Sequence, residues 1–504
     1  MKQITFILSI LFFASFSFAQ NTATTSQTGD NGQITVDQTG SNTANVTQVE
    51  TATSTPVGQQ IADVKQNGTG NNATIHQTET GGGGHVTNNA TVDQDGADNT
   101  VNQTTYAPGS NSGQNVWAKQ VGSQNVSTQS IMAGHTDSYK TDILGDENVT
   151  NQTMSASHSH GNIDIVGNKN NAVQNLTGAN HGYSGGININ QQGNENNATQ
   201  IFSGGGSGDV QRGDIWQEGD LNDATQNSNG KASDLDINQY GDNNKAEQSA
   251  DGYGNTAKST QQGDFNQAYT DQQGDDNNAT ITQQGSDVFN NYAEINQFGN
   301  SNNAGITQST DGNAAYADQL NGDNNTITIS QSAGNANEAY VNQGMLTDFY
   351  GYTSSELTGN NSSAIVTQVG AANMASSEQY GEANIANISQ TGNNNTAYSY
   401  EGWAYGFWGE TATTSALSVT NSSVTIDQTS DGNDARAWQY GGNNDHVTIN
   451  QSSGLGNIAS ITQGFIYEDQ LYNYTVPVYD VNNNNSMVTQ NGDNNIGKAM
   501  QLGD

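Results

Sequence analysis

Apolar side chains along this chain come in pairs two residues apart, bracketed by amides at the same spacing. Residues 277–283 place Asn277, Ala279, Ile281 and Gln283 at alternate positions, with Asn278, Thr280 and Thr282 between them. On an extended strand a period of two sends the first set to one face and the second set to the other. The spacing therefore predicts a seven-residue strand with one narrow apolar face. Four residues follow each strand, with glycine second, as in Gln273-Gly274-Asp275-Asp276. Glycine suits a turn that needs positive φ, and Asp or Asn beside it tolerates such geometry and bonds locally.

Strand plus turn make an eleven-residue unit that recurs from just after residue 20 to the C-terminus. One copy runs Gln66, Gly68, Asn71, Ala73, Ile75, Gln77, and another runs Gln272, Gly274, Asn277, Ala279, Ile281, Gln283. A third is Gln297, Gly299, Asn302, Ala304, Ile306, Gln308. Two more share a glutamine: Gln368, Gly370, Asn373, Ala375, Gln379, then Gly381, Asn384, Ala386, Ile388, Gln390. These positions form the expected structural core of the repeat. A fixed short period is the mark of a solenoid. The expected fold is an all-β solenoid of stacked two-strand β-arches, about 22 residues per coil, with amyloid-like cross-β stacking. Roughly twenty coils at about 4.8 Å each would give a rod about 100 Å long. Ala with Ile or Val fills a thin core, while the inward Asn and Gln, costly to bury unpaired, find partners from coil to coil as ladders.

Composition removes most other classes. Hydrophobic residues make up 31% of the 504, and 49 acidic against 11 basic residues leave a formal charge of −38. That is too little apolar matter for an ordinary globular core. Low hydrophobicity with high charge is the mark of disorder, but only 3 prolines and a strict period oppose it. Nucleic acid is excluded as a partner, because its recognition depends on Lys and Arg displacing counterions. Lys2, the apolar run of residues 4–16 and the small residues of Ser17-Phe18-Ala19 read as a signal peptide over residues 1–19,. Residues 20–504 are then the exported repeat region. With no cysteine, an oxidising destination is permitted but no disulfide contributes,.

The spacing Gln-x-Gly-x-x-Asn-x-Ala-x-x-x-Gln, present without gaps at 66–77, 261–272, 272–283, 297–308, 368–379 and 379–390, resembles the curlin repeat. The resemblance implies a secreted, non-catalytic structural subunit of curli-type functional amyloid, without cofactor or metal. It also implies self-assembly into extracellular fibres of a biofilm matrix that support adhesion. Its implied partners are the chain itself, stacked end to end, other curlin-like subunits and an outer-membrane secretion system. Two features depart from the family. Curlin subunits have far fewer repeats, and a non-repetitive export segment follows their signal peptide, whereas Asn21-x-Ala23-x-Thr25-x-Gln27 is already strand-like.

Counting strands by their last inward position gives four between successive long insertions near 345–359, 402–420 and 464–482. Four strands are two coils, so these insertions are expected to leave from one edge. They carry Phe349, Tyr350 and Tyr352; Trp403, Tyr405, Phe407 and Trp408; and Phe465, Tyr467, Tyr472 and Tyr474. That edge is the candidate contact for a glycan, a surface or a neighbouring fibre, weighed against loops that merely cover the arch. His158 and His160 share a strand face but lack further metal ligands, and Gly204–Asp209 lacks the tandem nonapeptide of a calcium β-roll. The acidic turns retain weak calcium binding as a candidate. No nucleophile elbow, phosphate loop or dinucleotide fingerprint occurs. A monomeric β-solenoid acting as an adhesin or as an ice- or glycan-binding surface protein is the competing reading. An ice binder wants a flat outward Thr ladder, which Thr280 and Thr282 fit but Met374, Ser376 and Glu378 do not.

Overall fold

The computed structural model describes residues 20–51, 59–80, 87–107, 113–132, 137–155, 159–178, 185–204, 210–285, 290–344, 359–402, 419–464 and 482–501. All of its regular structure is β. Thirty-five strands join into one parallel assembly. Two of them, Gly32–Glu50 and Gln59–Glu79, each span two half-repeats, so the assembly holds thirty-seven half-repeats, or between eighteen and nineteen coils.

Every strand pairs in parallel with the strand one coil away rather than with its neighbour in sequence. Asn278–Gln284 pairs with Thr256–Gln262 on one side and Asn303–Gln308 on the other, Ala257, Ala279 and Ala304 standing in line. Two stacks result. Sheet I begins with Thr22–Thr28 and contains Gln267–Gln273 and Ile496–Gln501; sheet II begins with residues 32–41 and contains Asn278–Gln284 and Asn485–Asn491. Their inward faces meet across a core of Ala, Val and Ile, which continues through residues 143–461 as one cluster of buried residues. Alternation of buried and half-exposed positions runs along almost every strand, as the period of two requires,.

The tight turns hold two left-handed residues. Gly274 has φ 109° and Asp276 has φ 56°. Gly274 has a second reason to be glycine: a Cβ there would overlap the Gly299 carbonyl of the next coil. Not every residue at the second left-handed position, the fourth of the turn, suits αL geometry as Asp does, for Leu221 and Phe265 occupy it as well,.

Long connections leave from one edge. Links from sheet II back to sheet I stay short, the longest being 285–291, whereas those from sheet I to sheet II include 344–362, 403–422 and 465–484. The strands flanking these three long links place them on the same edge, two coils apart. A small parallel sheet of Gly359–Asn360, Gly381–Glu382, Val419–Thr420 and Gly442–Asn443 lines this edge, and Asn482 bridges to Asn443. The points where the chain returns from the long links are thus hydrogen-bonded in a row.

Candidate assembly surface

The repeat's glutamines build the first element of the site. In sheet II an unbroken ladder of twelve runs from Gln191 to Gln490, each Nε2 donating to the Oε1 of the next at distances such as 2.9 Å for Gln261 to Gln283 and 2.8 Å for Gln451 to Gln490. The second N–H of the same amide crosses the arch. Gln283 Nε2 also reaches the Gln267 carbonyl of sheet I at 2.8 Å, and Gln272 Nε2 the Thr256 carbonyl of sheet II at 2.9 Å. One amide therefore ties coil to coil and sheet to sheet, which no apolar side chain of that size does. Each such buried bond contributes about 1 kcal/mol, and an orphaned partner costs about 1–3 kcal/mol.

Asparagine builds the second. Nineteen asparagines of sheet I, from Asn21 to Asn495, stand at successive strand entries. From Asn21 Oδ1 onwards each side-chain oxygen accepts from the next asparagine, through its backbone N–H at all but the Asn266–Asn291 step, where the Asn291 amide donates. The side-chain amide often ties down the glycine turn one coil away, as Asn196 Nδ2 does to the Gly219 carbonyl at 2.8 Å. In sheet II a comparable ladder begins only at Asn255 and passes through Ser362, Ser422 and Asp445.

Of the expected core positions, Gln66, Asn71, Ala73, Ile75 and Gln77 are buried, as are the corresponding residues of the copies at 272–283, 297–308 and 368–390. Gly68, Gly274, Gly299, Gly370 and Gly381 all sit in the left-handed turn region. The sequence reading of a ladder in one column holds in sheet II beyond Gln191 but not throughout sheet I. From Asn99 to Ala250 the sheet I strands carry Gln at the third inward position and an apolar or small residue at the fourth, as in Asn196, Ala198, Gln200, Phe202. Pairing stays in register, Gln77 opposite Thr105 and Gln248 opposite Thr270, so the ladder changes column at both junctions. The signal was present in the sequence as glutamine four residues after asparagine rather than six.

At the two ends the ladders stop with matched geometry. Among the described residues no strand covers the outer edges of Thr22–Thr28 and residues 32–41, nor those of Asn485–Asn491 and Ile496–Gln501. Asn21 and Gln27 are six residues apart, as are Asn495 and Gln501; Gln38 matches Gln490 in sheet II. Ladder polarity points the Gln490 and Gln501 amide donors and the Asn495 acceptor outward at one end. It points the Gln27 and Gln38 acceptors and the Asn21 N–H outward at the other.

Outward positions of sheet I carry an aromatic stack that the sequence reading missed. Tyr269, Tyr292, Tyr316 and Tyr340 follow one another with ring centroids 5.5, 5.2 and 5.9 Å apart. Tyr380, Tyr400 and Tyr440 form a second run, and Tyr398 packs on Trp438. Their hydroxyls donate to carboxylates, Tyr292 to Glu294 at 2.6 Å and Tyr340 to Asp318 at 3.2 Å. Burial and the adjoining Asp318 charge push the Tyr340 phenol up to about 12. The usable signal was tyrosine at alternate outward positions of every second strand.

The aromatic residues of the expected ligand edge, Tyr350, Tyr352, Trp403, Tyr405, Trp408, Tyr467 and Tyr472 with their neighbours, lie outside the described residues, as do the segment 1–19, His158 and residues 205–209. His160 is exposed on sheet II. Met374, Ser376 and Glu378, read as interruptions of an outward Thr ladder, belong to sheet I, whereas Thr280 and Thr282 belong to sheet II. They never shared a face. Four acidic residues, Glu50, Glu79, Glu401 and Asp445, are buried.

The family model described as Curlin associated repeat matches residues 254–285, 289–320, 304–332 and 359–392. These spans fall where inward Asn, Ala and Gln recur six residues apart, beyond the column-shifted strands. A search of curated proteins found no match.

Proposed function

We propose that this curlin-repeat chain is a secreted structural subunit that stacks end to end into curli-like fibres of an extracellular matrix and supports adhesion there. The observation that carries the reading is the matched ladder ends. Placing Thr22–Thr28 of one copy on Ile496–Gln501 of another sets Asn21 over Asn495 and Gln27 over Gln501; with nineteen strands in sheet I and eighteen in sheet II, Gln38 then falls in the column of Gln490 with one strand position open between them. In sheet I the junction then repeats the step found between coils, with the same donors facing the same acceptors. Open parallel edges with complementary amides are templates for further pairing. Secretion follows from the leader-like residues 1–19 and needs an export system whose identity the repeats do not specify.

Fibre diffraction and thioflavin fluorescence on the purified chain, diluted from denaturant at several concentrations, test this. Seeded, concentration-dependent fibres with a meridional reflection near 4.8 Å are expected. A β-rich chain that stays monomeric at every concentration overturns the reading. In that case the aromatic stack of sheet I, with its carboxylates, favours the second reading, a monomeric adhesin that binds glycans.

A further inference from the structure

The two sheets present different chemistry to solvent, and the difference switches partway along the rod. On sheet I, the outward positions of the eight strands from Thr22 to Phe202 are filled by Thr, Ser, Asn and Val, with His76, Tyr106, Met132 and Ile201, and include no Asp, Glu, Lys or Arg. Over the same coils sheet II is charged, and one of its columns alternates in sign through Asp37, Lys65, Asp93, Lys119 and Asp142. Beyond residue 240 the roles reverse. Sheet I then carries Lys245, Glu294, Asp318 and Glu378, while the outward positions of sheet II from Asn278 to Thr391 carry no charge.

For a chain of charge −38 an uncharged face eight strands long is where another copy meets least repulsion. Four large apolar side chains stand exposed on it: Tyr106 at 36%, Met132 at 50%, Val149 at 44% and Ile201 at 42%. Eight strands at about 4.8 Å, each about 20 Å long, offer about 770 Å², close to the roughly 800 Å² per partner of a stable protein interface. We propose that the sheet I face of residues 22–202 is a lateral docking surface for the same face of a second copy, two solenoids packing sheet on sheet. The proposal rests on the fibre reading and deepens it by naming the side contact between filaments.

Three outward threonines on this face, Thr74, Thr128 and Thr199, are half-exposed and project into no core. In the full-length chain, the triple substitution Thr74→Glu, Thr128→Glu and Thr199→Glu is compared with a control of equal charge on sheet II, Thr39→Glu, Thr91→Glu and Asn190→Glu. Sedimentation velocity of the soluble chain reads pairing before elongation, and electron microscopy of seeded fibres reads their width. The sheet I triple is expected to weaken pairing by at least about tenfold, since like charges then meet across the contact. Single filaments should still elongate at the unaltered rate, and the control should pair as the parent does. A matching triple to Lys keeps the test independent of folding losses: mixing the Glu and Lys variants should restore pairing that neither shows alone. Equal loss in both Glu triples, or parental pairing in the sheet I triple, overturns the proposal. So does a parent that never pairs but loses adsorption to insoluble polysaccharide when the face is charged. Because sedimentation is read on soluble chain, failure of end-to-end stacking leaves this test intact.

Discussion

Glu401 stands on a rung of the sheet I ladder where its neighbours along the stack carry glutamine. Gln379 Nε2 donates to its Oε1 at 3.1 Å. Among the described residues its Oε2 has no hydrogen-bond partner, and neither has the Oε1 of Gln439, the next residue in register. Two facing acceptors need a proton between them, and burial, only partly opposed by the Gln379 bond, raises the Glu401 carboxyl well above the usual carboxylate range,. The neutral acid then does what a glutamine amide does elsewhere. Between the ordinary carboxyl range and that raised value, the folded chain holds a proton that the unfolded chain has released, so stability falls as pH rises through this window. Burial raises Glu50, Glu79, Asp234, Asp271 and Asp318 as well, so these groups all act in the same sense. Mild acidification from neutral pH is therefore expected to strengthen the rod. Glu401→Gln should stabilise it by about 1–3 kcal/mol at pH 8, with the gain fading towards pH 4. Denaturant titrations at both pH values decide this; equal midpoints at pH 8 would mean that the rung lacks no donor.

At the level of the strand pair, the column shift between Asn99 and Ala250 changes what fills the arch. Moving glutamine inward by one rung leaves the fourth position to Ile131, Met154, Leu176 and Phe202, which join Val116, Tyr139, Ile187 and Leu235 of sheet II in a second core cluster. Two glycines make room for the largest of them. A Cβ on Gly213 would lie 2.5 Å from Phe202 Cζ, and one on Gly161 would lie 2.7 Å from Met154 Cε. Gly213→Ala should therefore cost about 1–3 kcal/mol by overpacking, and Phe202→Leu should recover part of that loss, a coupling that hydrogen exchange of the adjoining strands would measure. Additive effects would place the two residues in separate environments. The strand, the turn glycine and the axial amide ladders were legible because each follows from a period visible in residues such as Asn277, Ala279 and Ile281. The arch-crossing bond of Gln283 was not, because its acceptor is a backbone carbonyl, which every residue has. Face chemistry was illegible for a related reason. Alternate strands belong to opposite sheets, so Thr282 and Glu378 look like members of one series until the coils are stacked.

Charge acts on the whole molecule. End-to-end addition brings together two rods of charge −38, and with a Debye length of about 8 Å at physiological ionic strength, salt should relieve much of that repulsion. Seeded elongation is expected to speed up several-fold between about 10 mM and 150 mM salt, read by thioflavin kinetics at fixed seed. A rate independent of salt would mean that the approaching ends meet no net field. The confinement of long links to one edge has a further outcome for such a fibre. Because the links return through a hydrogen-bonded row from Gly359 to Asn482, sequence inserted there can vary in length and content while the register of both sheets is left untouched. Such a rod would display its cargo along a single line, with attachment points about 10 Å apart at two coils per step, and leave its opposite margin bare.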